Sequence, residues 1–465
     1  MRTLIKNIGQ IVGITEPEVF RKAGKEMSET GTLDNAWLLI EDGLISGFGP
    51  MSDCPDGLHG DGSADLLGDG SADLLRDGST GLHRDCPAGS LGDHSCSCEV
   101  IDAEGGMVLP CFCDSHTHIV FAGSREREFL DKIEGLSYAQ IAANGGGILN
   151  SADLLHRTSE DELYSQAMSR VNEMIAAGTG AIEIKSGYGL STEDELKILR
   201  VIRRIKESSP AIIKSTFLGA HAVGRAYAGR QEDYVKLVCE EMVPAVSAEG
   251  LADFIDVFCE ENFFTPEQTD RILSAGEKYG MRAKLHANQL AVSGGVQVGV
   301  KHNALSVDHL ESTTDDEIHV LAEAPDTMPT MLPGASFFLR MQYGKALDFI
   351  NSGLGLALAS DYNPGSSPCG DMRFVMSLGC IQMRLTPIQS FNACTLNSAY
   401  AMGVEGEAGS ITVGKKANII ITNKIPSLTW IPYCYRSPFI NQVLLGGEVM
   451  VDNNKKLFNT DSKTN

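Results

Sequence analysis

The sequence predicts an α/β protein: a (β/α)8 TIM-like barrel with a smaller composite β-sandwich domain built from both chain ends. Three observations lead there. Between residues 107 and 405, eight short apolar runs alternate with amphipathic helical segments. The flanks, 1–106 and 406–465, show the two-residue alternation of half-buried strands. Histidines recur where the apolar runs of the middle section end.

The elements follow in order. "DNAWLLIEDGLISGFGP" (34–50) alternates apolar residues around an Asp-Gly turn and reads as a hairpin. Residues 52–98 stand apart. "GDGSADLL" occurs twice in tandem there, followed by the related "RDGSTGLH", and Gly, Ser and Asp dominate. Too little apolar surface is present to offset the entropy of ordering, so this segment reads as a flexible, dispensable insertion in the N-terminal part of the small domain. The barrel runs are "GMVLPCFCD", "TGAIEIKS", "AIIKSTFLGA", "DFIDVFCE", "MRAKLHA", "ALSVDHL", "MPTMLPG" and "GLALASD". Helix starts lie between them. Ser159 with Glu162 and Thr192 with Glu195 fit capping boxes. Thr265-Pro266 and Thr386-Pro387 put proline at the first helical position. After residue 406, "AGSITVGKKANIIITN" and "INQVLLGGEVMVDNN" return to strand character and are expected to pair with the N-terminal strands.

Composition excludes several classes. The chain has 465 residues and a formal net charge of −23, from 61 acidic and 38 basic residues. No basic surplus exists to neutralise phosphates, so no nucleic-acid partner is expected. No apolar stretch is long enough to span a bilayer, and "MRTLIKNIGQIVG" lacks a signal-peptide core. The twelve cysteines are scattered, several in apolar runs, which predicts reduced thiols and a cytoplasmic enzyme. Cys86, His94, Cys96 and Cys98 lie close together but lack a standard zinc-knuckle spacing.

The chemistry starts at "DSHTHIVFAGSR" (114–125). His116 and His118 are two residues apart and point the same way on an extended chain, so both imidazoles can reach one metal ion. An isolated pair of this kind is more often two surface histidines. The barrel changes the balance, because catalytic groups sit at the C-terminal ends of its strands. His116 and His118 follow run one, His221 run three, His286 run five, His309 run six and Asp361 run eight. All six converge on one rim.

With these residues in place, the chain resembles the amidohydrolase superfamily and, within it, the imidazolonepropionase family. The resemblance rests on "DSHTHIVFAGSREREF", "YAQIAANGGGI", "EIKSGYGL", "TFLGAHAV", "DYVKLVCEEMVPAV", "KLHANQLAVSGG", "VDHLE" and "LASDYNPGSSP". It covers nearly the whole chain outside 52–98. It implies one Zn2+ or Fe ion per subunit, held by His116, His118, His286 and Asp361. It also implies hydrolytic opening of 4-imidazolone-5-propanoate to N-formimidoyl-L-glutamate in histidine degradation. Arg125 matches a substrate-binding arginine, suited to a carboxylate tail. Tyr188 matches a substrate-contacting tyrosine and His221 a histidine against the ring, and Tyr138 is expected to help hold the tail. Asn363, Gly365 and Ser366 match product-contacting positions. The family is often dimeric, which implies a homodimer.

One departure stands out. Some family members carry glutamate where this chain has Gln289, and glutamine takes no proton at neutral pH. The base is then Asp361 or His309, and Gln289 only binds substrate. Other readings are a different cyclic amidase, a deaminase or an inactive scaffold. Two-metal amidases use a lysine at the end of strand four, where this chain reads "DVFCEE"; Lys185 lies on run two and reads as structural. A deaminase fits the metal set, but Arg125 favours an acid-tailed ring. A scaffold would be expected to lose metal ligands, and none is lost here.

Overall fold

A computed structural model describes residues 2–55, 98–136, 140 and 146–453. The repeat-containing segment, apart from residues 52–55 and 98, and Tyr138 lie outside these. The chain opens with β1 (Arg2–Ile14), β2 (Gly31–Glu41), β3 (Leu44–Pro50), β4 (Cys98–Asp102) and β5 (Met107–Pro110). The barrel strands are β6 (Phe112–Thr117), β7 (Thr179–Lys185), β8 (Ile212–Ala220), β9 (Phe254–Cys259), β10 (Arg282–Ala283), β11 (Leu285–Ala287), β12 (Ser306–His309), β13 (Met328–Met331) and β14 (Ala357–Leu358). The chain ends on β15 (Ile419–Thr422), β16 (Ile440–Leu445) and β17 (Glu448–Asp452).

The terminal strands form one mixed sheet in the order β17-β16-β15-β5-β1-β2-β3, with β4 also on β1. Both chain ends therefore share a sheet. Its far edge curls back: Ile45 N donates to Lys415 O at 2.9 Å and Gly414 N to Ile45 O at 2.8 Å. Ile5, Ile11, Leu38 and Ile40 then meet Ile419, Ile421 and Leu444 in a core of their own.

The second sheet runs β6-β7-β8-β9-β11-β12-β13-β14, parallel throughout, with β10 against β9. It closes where Asp361 N donates to His116 O at 3.0 Å and His118 N to Tyr362 O at 2.9 Å. β6, β7 and β9 are buried at every residue, as strands covered by helices outside and packed side chains inside must be.

Two expectations are corrected. The run at 107–114 is two strands. Met107–Pro110 pairs with β1 and β15, and the path moves to the barrel across Cys111, because Pro110 cannot donate to a continuing ladder. Second, the helix Thr192–Ser208 is capped by Ser191, whose hydroxyl accepts from Asp194 N. Thr192 Oγ1 donates to Glu241 at 2.6 Å instead, and Glu195 turns to the preceding loop. Ser159, Thr265 and Thr386 are N-caps, the last two in full capping boxes with Gln268 and Gln389.

Candidate metal centre

Barrel closure and the metal centre are one construction. The hydrogen bonds that join the strand-one end to the strand-eight end also bring Asp361 beside His116 and His118. Asp361 Oδ1 lies 3.6 Å from the Nε2 atoms of both histidines. The Nε2 atoms of His116 and His118 are 3.2 Å apart, and those of His118 and His286 3.4 Å. Tetrahedral ligands at ~2.0–2.1 Å from a metal stand ~3.3–3.4 Å from one another. Lone-pair atoms this close, all buried, repel one another unless a cation sits between them, and two trios, His116, His118 and His286, and His116, His309 and Asp361, each bring their ligand atoms within 4.8 Å of one another.

The other face of these rings assigns their protons. His116 Nδ1 is 2.6 Å from Asp308 Oδ2, and His286 Nδ1 is 2.9 Å from Asp256 Oδ2. Asp308 holds the proton of His116 on Nδ1 by a hydrogen bond, and Asp256 favours the same tautomer of His286 by its charge, so that each Nε2 lone pair is left free for a metal. His118 Nδ1 has no such carboxylate among the described residues; its ring stacks on His221, with centroids 5.2 Å apart at 16°. Burial, reinforced by neighbouring cationic groups, holds His116 and His118 well below the usual histidine range, so both stay neutral.

Below the centre lies a buried charge network. Lys185 Nζ is 2.6 Å from Glu183, 2.9 Å from Asp256 and 3.6 Å from Asp308. Lys284 Nζ pairs with the second oxygen of Glu183 and donates to Ala401 O at 2.8 Å. Burial alone would lower the Lys185 pKa, but Asp256, Glu183 and Asp308 outweigh it and hold the ammonium well above its ordinary range. Lys185 is thus structural, and its role is electrostatic, since it compensates the carboxylates that orient His116 and His286. The sequence reading missed Asp256, Glu183 and Asp308. The available signal was an acid inside an otherwise apolar strand run, a placement that needs a partner.

His309 ends β12 with φ 87°, and Asp361 follows β14 with φ 54°. Left-handed backbone at a non-glycine residue costs about 1–3 kcal/mol and is tolerated where the surroundings over-determine it. His309 Nδ1 is 3.4 Å from Glu311. Burial would lower the His309 pKa, but Glu311, together with Asp361 and Asp308, offsets it and the net direction is up.

Above the centre is a cavity of about 560 Å³. His118, His286, His309 and Asp361 floor it, and Arg125, Tyr188, His221, Gln289, Asn363, Gly365 and Ser366 line it. Arg125 Nε donates to Ser151 Oγ at 2.9 Å, while its buried Nη2 has no partner among the described residues. Asn363 also shapes the loop around Asp361. Its Oδ1 accepts from Gly365 N and Ser366 N, and its Nδ2 donates to Asp361 O and Ser366 Oγ. Ser366 Oγ donates to Asp361 Oδ2 at 3.1 Å. Tyr138 lies outside the described residues. Sequence reading also missed Glu128 and Lys132, which line the cavity beside Arg125.

Comparison with known proteins shows the family and the fold. The model of the amidohydrolase family matches residues 107–450. An imidazolonepropionase of Flavobacterium johnsoniae is 45% identical over 450 residues, covering 97% of this chain and all of the relative. One from Alkaliphilus oremlandii is 36% identical, covering 96% of this chain and 97% of the relative. Among solved structures, an adenosine deaminase of Xanthomonas campestris with bound zinc superposes with a TM-score of 0.64 at 14% identity, covering 97% of this chain and 93% of that one. Guanine deaminase of E. coli gives 0.66 at 13% identity, over 98% of this chain and 100% of that one. At such identities these structures speak to the fold alone.

Proposed function

The chain belongs to the amidohydrolase family and, through its full-length relatives, to the imidazolonepropionases within it, and from that membership we propose that it opens the ring of 4-imidazolone-5-propanoate with water. The observation that carries the substrate assignment is the buried Arg125 Nη2, unpartnered among the described residues, in the same cavity as the metal-ligand set. A buried guanidinium donor without an acceptor is costly, and a substrate carboxylate satisfies it with a charge-assisted pair.

His116, His118, His286 and Asp361 would hold one zinc or iron ion. When bound, the ion supplies Lewis acidity toward the ring carbonyl and toward water. The chain's own residues do the rest. Arg125 binds the propanoate tail and fixes the ring over the cavity floor. Tyr188, His221 and Gln289 pack around the ring and hydrogen-bond it. Asp361, oriented by Ser366, takes the proton of the attacking water through Oδ2, the oxygen turned away from the histidines. As the carbonyl carbon gains the water oxygen, His309 orients the water and stabilises the oxyanion. Asp361 then delivers the proton to the ring nitrogen as the C–N bond breaks. The carbonyl carbon becomes a carboxylate, and the released nitrogen stays on the formimidoyl group of N-formimidoyl-L-glutamate.

A cytoplasmic location belongs to the same reading, supported by Cys111, Cys113, Cys259 and Cys394, which are buried as free thiols. Among the described residues, no helix is long and apolar enough to cross a membrane. A homodimer belongs to it too, and Phe129, Leu130 and Ile133, exposed on one helix, offer apolar surface for the contact. The test is an ultraviolet assay of imidazolonepropanoate loss, with hydantoins lacking the acid tail as controls. Turnover of the tailless rings at equal kcat/KM would contradict the assignment.

A further inference from the structure

Glu195 is fully buried on the helix Thr192–Ser208, and no cation pairs with it among the described residues. Its carboxylate faces backward into the loop that follows β7. Oε1 accepts from Gly189 N at 2.7 Å and Leu190 N at 3.0 Å, and Oε2 accepts from Gly187 N at 3.0 Å. The amides converge because the loop curls through left-handed backbone at Gly187 (φ 109°) and Leu190 (φ 55°). The fit is close: a methyl group on Gly189 would stand 2.4 Å from Glu195 N and 2.8 Å from Oε1.

This loop positions two cavity-lining groups, one of its own and one after β8. Tyr188 sits at its tip, buried, with its ring 6.0 Å from that of His118. Gly187 O lies 3.1 Å from His221 Nδ1 and accepts its proton, which fixes the His221 ring and leaves its Nε2 as an acceptor. Both residues line the cavity over the metal ligands.

We propose that Glu195 is a positioning residue for substrate recognition: its carboxylate anchors residues 186–190 and, through them, holds Tyr188 and His221 against the substrate ring. This rests on the ring-opening reaction proposed above. Each charge-assisted bond from a backbone N–H contributes more than a neutral one, and an isosteric amide keeps only one acceptor oxygen while turning an NH2 group against N–H donors.

The test is Glu195→Gln in the full chain, with metal content, thermal midpoint and steady-state kinetics read together. The expected result is a KM for imidazolonepropanoate raised tenfold or more, a smaller change in kcat, and parental metal content. A merely structural residue would impose the same cost in any background. A positioning residue will not: in a Tyr188→Phe/His221→Ala background the Glu195→Gln cost should shrink to within about twofold, because the groups it positions are already gone. An unchanged KM, or an undiminished cost in that background, overturns the proposal. If Glu195→Gln does not fold, Gly189→Ala pushes the loop off the same carboxylate and should reproduce the KM rise; an unchanged KM there also overturns it. A parent enzyme that does not open the imidazolone ring removes the reaction itself, and this inference with it. A parent that turns over, beside a Glu195→Gln variant that matches it, removes only the role of Glu195.

Discussion

Gly365 lies so close to Arg125 that a methyl group added to it would stand 2.2 Å from the guanidinium Nη1. The residue thus makes room for the cation proposed to bind the substrate tail. Gly365→Ala should swing the guanidinium aside without touching the metal ligands. Losing one charge-assisted bond of ~1.5–3 kcal/mol corresponds to a KM rise of about 10–100-fold. Metal content should stay parental. Kinetics on metal-loaded protein check this, and an unchanged KM would show that Arg125 does not bind the tail.

The proton assignments separate by substitution. General acid–base groups typically contribute ~10²–10⁴-fold in rate. Asp361→Asn should lose at least that much kcat and also weaken the metal. His309→Ala should lose kcat with near-full metal occupancy. Gln289→Ala should chiefly raise KM. Metal analysis beside kinetics distinguishes the three, and near-normal kcat in Asp361→Asn would refute the central assignment.

Asp308 should matter to the metal without ever touching it. It holds the proton on His116 Nδ1 at 2.6 Å. Carboxylates in this position typically contribute ~10–100-fold in metal affinity. Asp308→Asn should therefore lose metal to a chelator at a concentration about 10–100-fold lower, as a competition titration would register.

Lys415 makes stability depend on alkaline pH. Its ammonium is buried in the small domain and donates to Ser410 Oγ at 2.7 Å. Burial brings its pKa down to about 8 from the ordinary 10.5, against the smaller opposing pull of Cys113 and Glu405. The unfolded chain then binds more protons than the folded one between those values, so this group's contribution to stability rises with pH across that window and is least favourable below pH 8. Its full size is on the order of 3 kcal/mol. The stability of the parent relative to Lys415→Met should improve between about pH 7 and pH 10, as urea titrations would register; a pH-independent difference would contradict the linkage.

The sites that were legible in the sequence were those set by strand ends. His116, His118, His286, His309 and Asp361 could be brought to one rim because each closes an apolar run, and a parallel barrel sends all such ends the same way. Glu195 was misread for a definite reason. A Thr–Glu pair three residues apart is the same string whether the acid returns to its own N-cap or reaches another loop, and only the fold chooses. Asp256, Asp308 and Glu183 hid inside strands read as apolar. The break at Pro110 hid because one run of buried residues serves two sheets.

The shared terminal sheet has a consequence for how the protein is made. β5 receives β15 as a neighbour only after the intervening barrel has left the ribosome. Roughly 300 residues must be translated in that interval, which takes ~15–60 s at ~5–20 residues per second. Until then the nascent chain presents the open side of β5 as an unpaired edge, the template on which strands from other chains add. The final strands thus act as a late clasp, and chains truncated before residue 419 should be captured by chaperones or aggregate even with every metal ligand already synthesised.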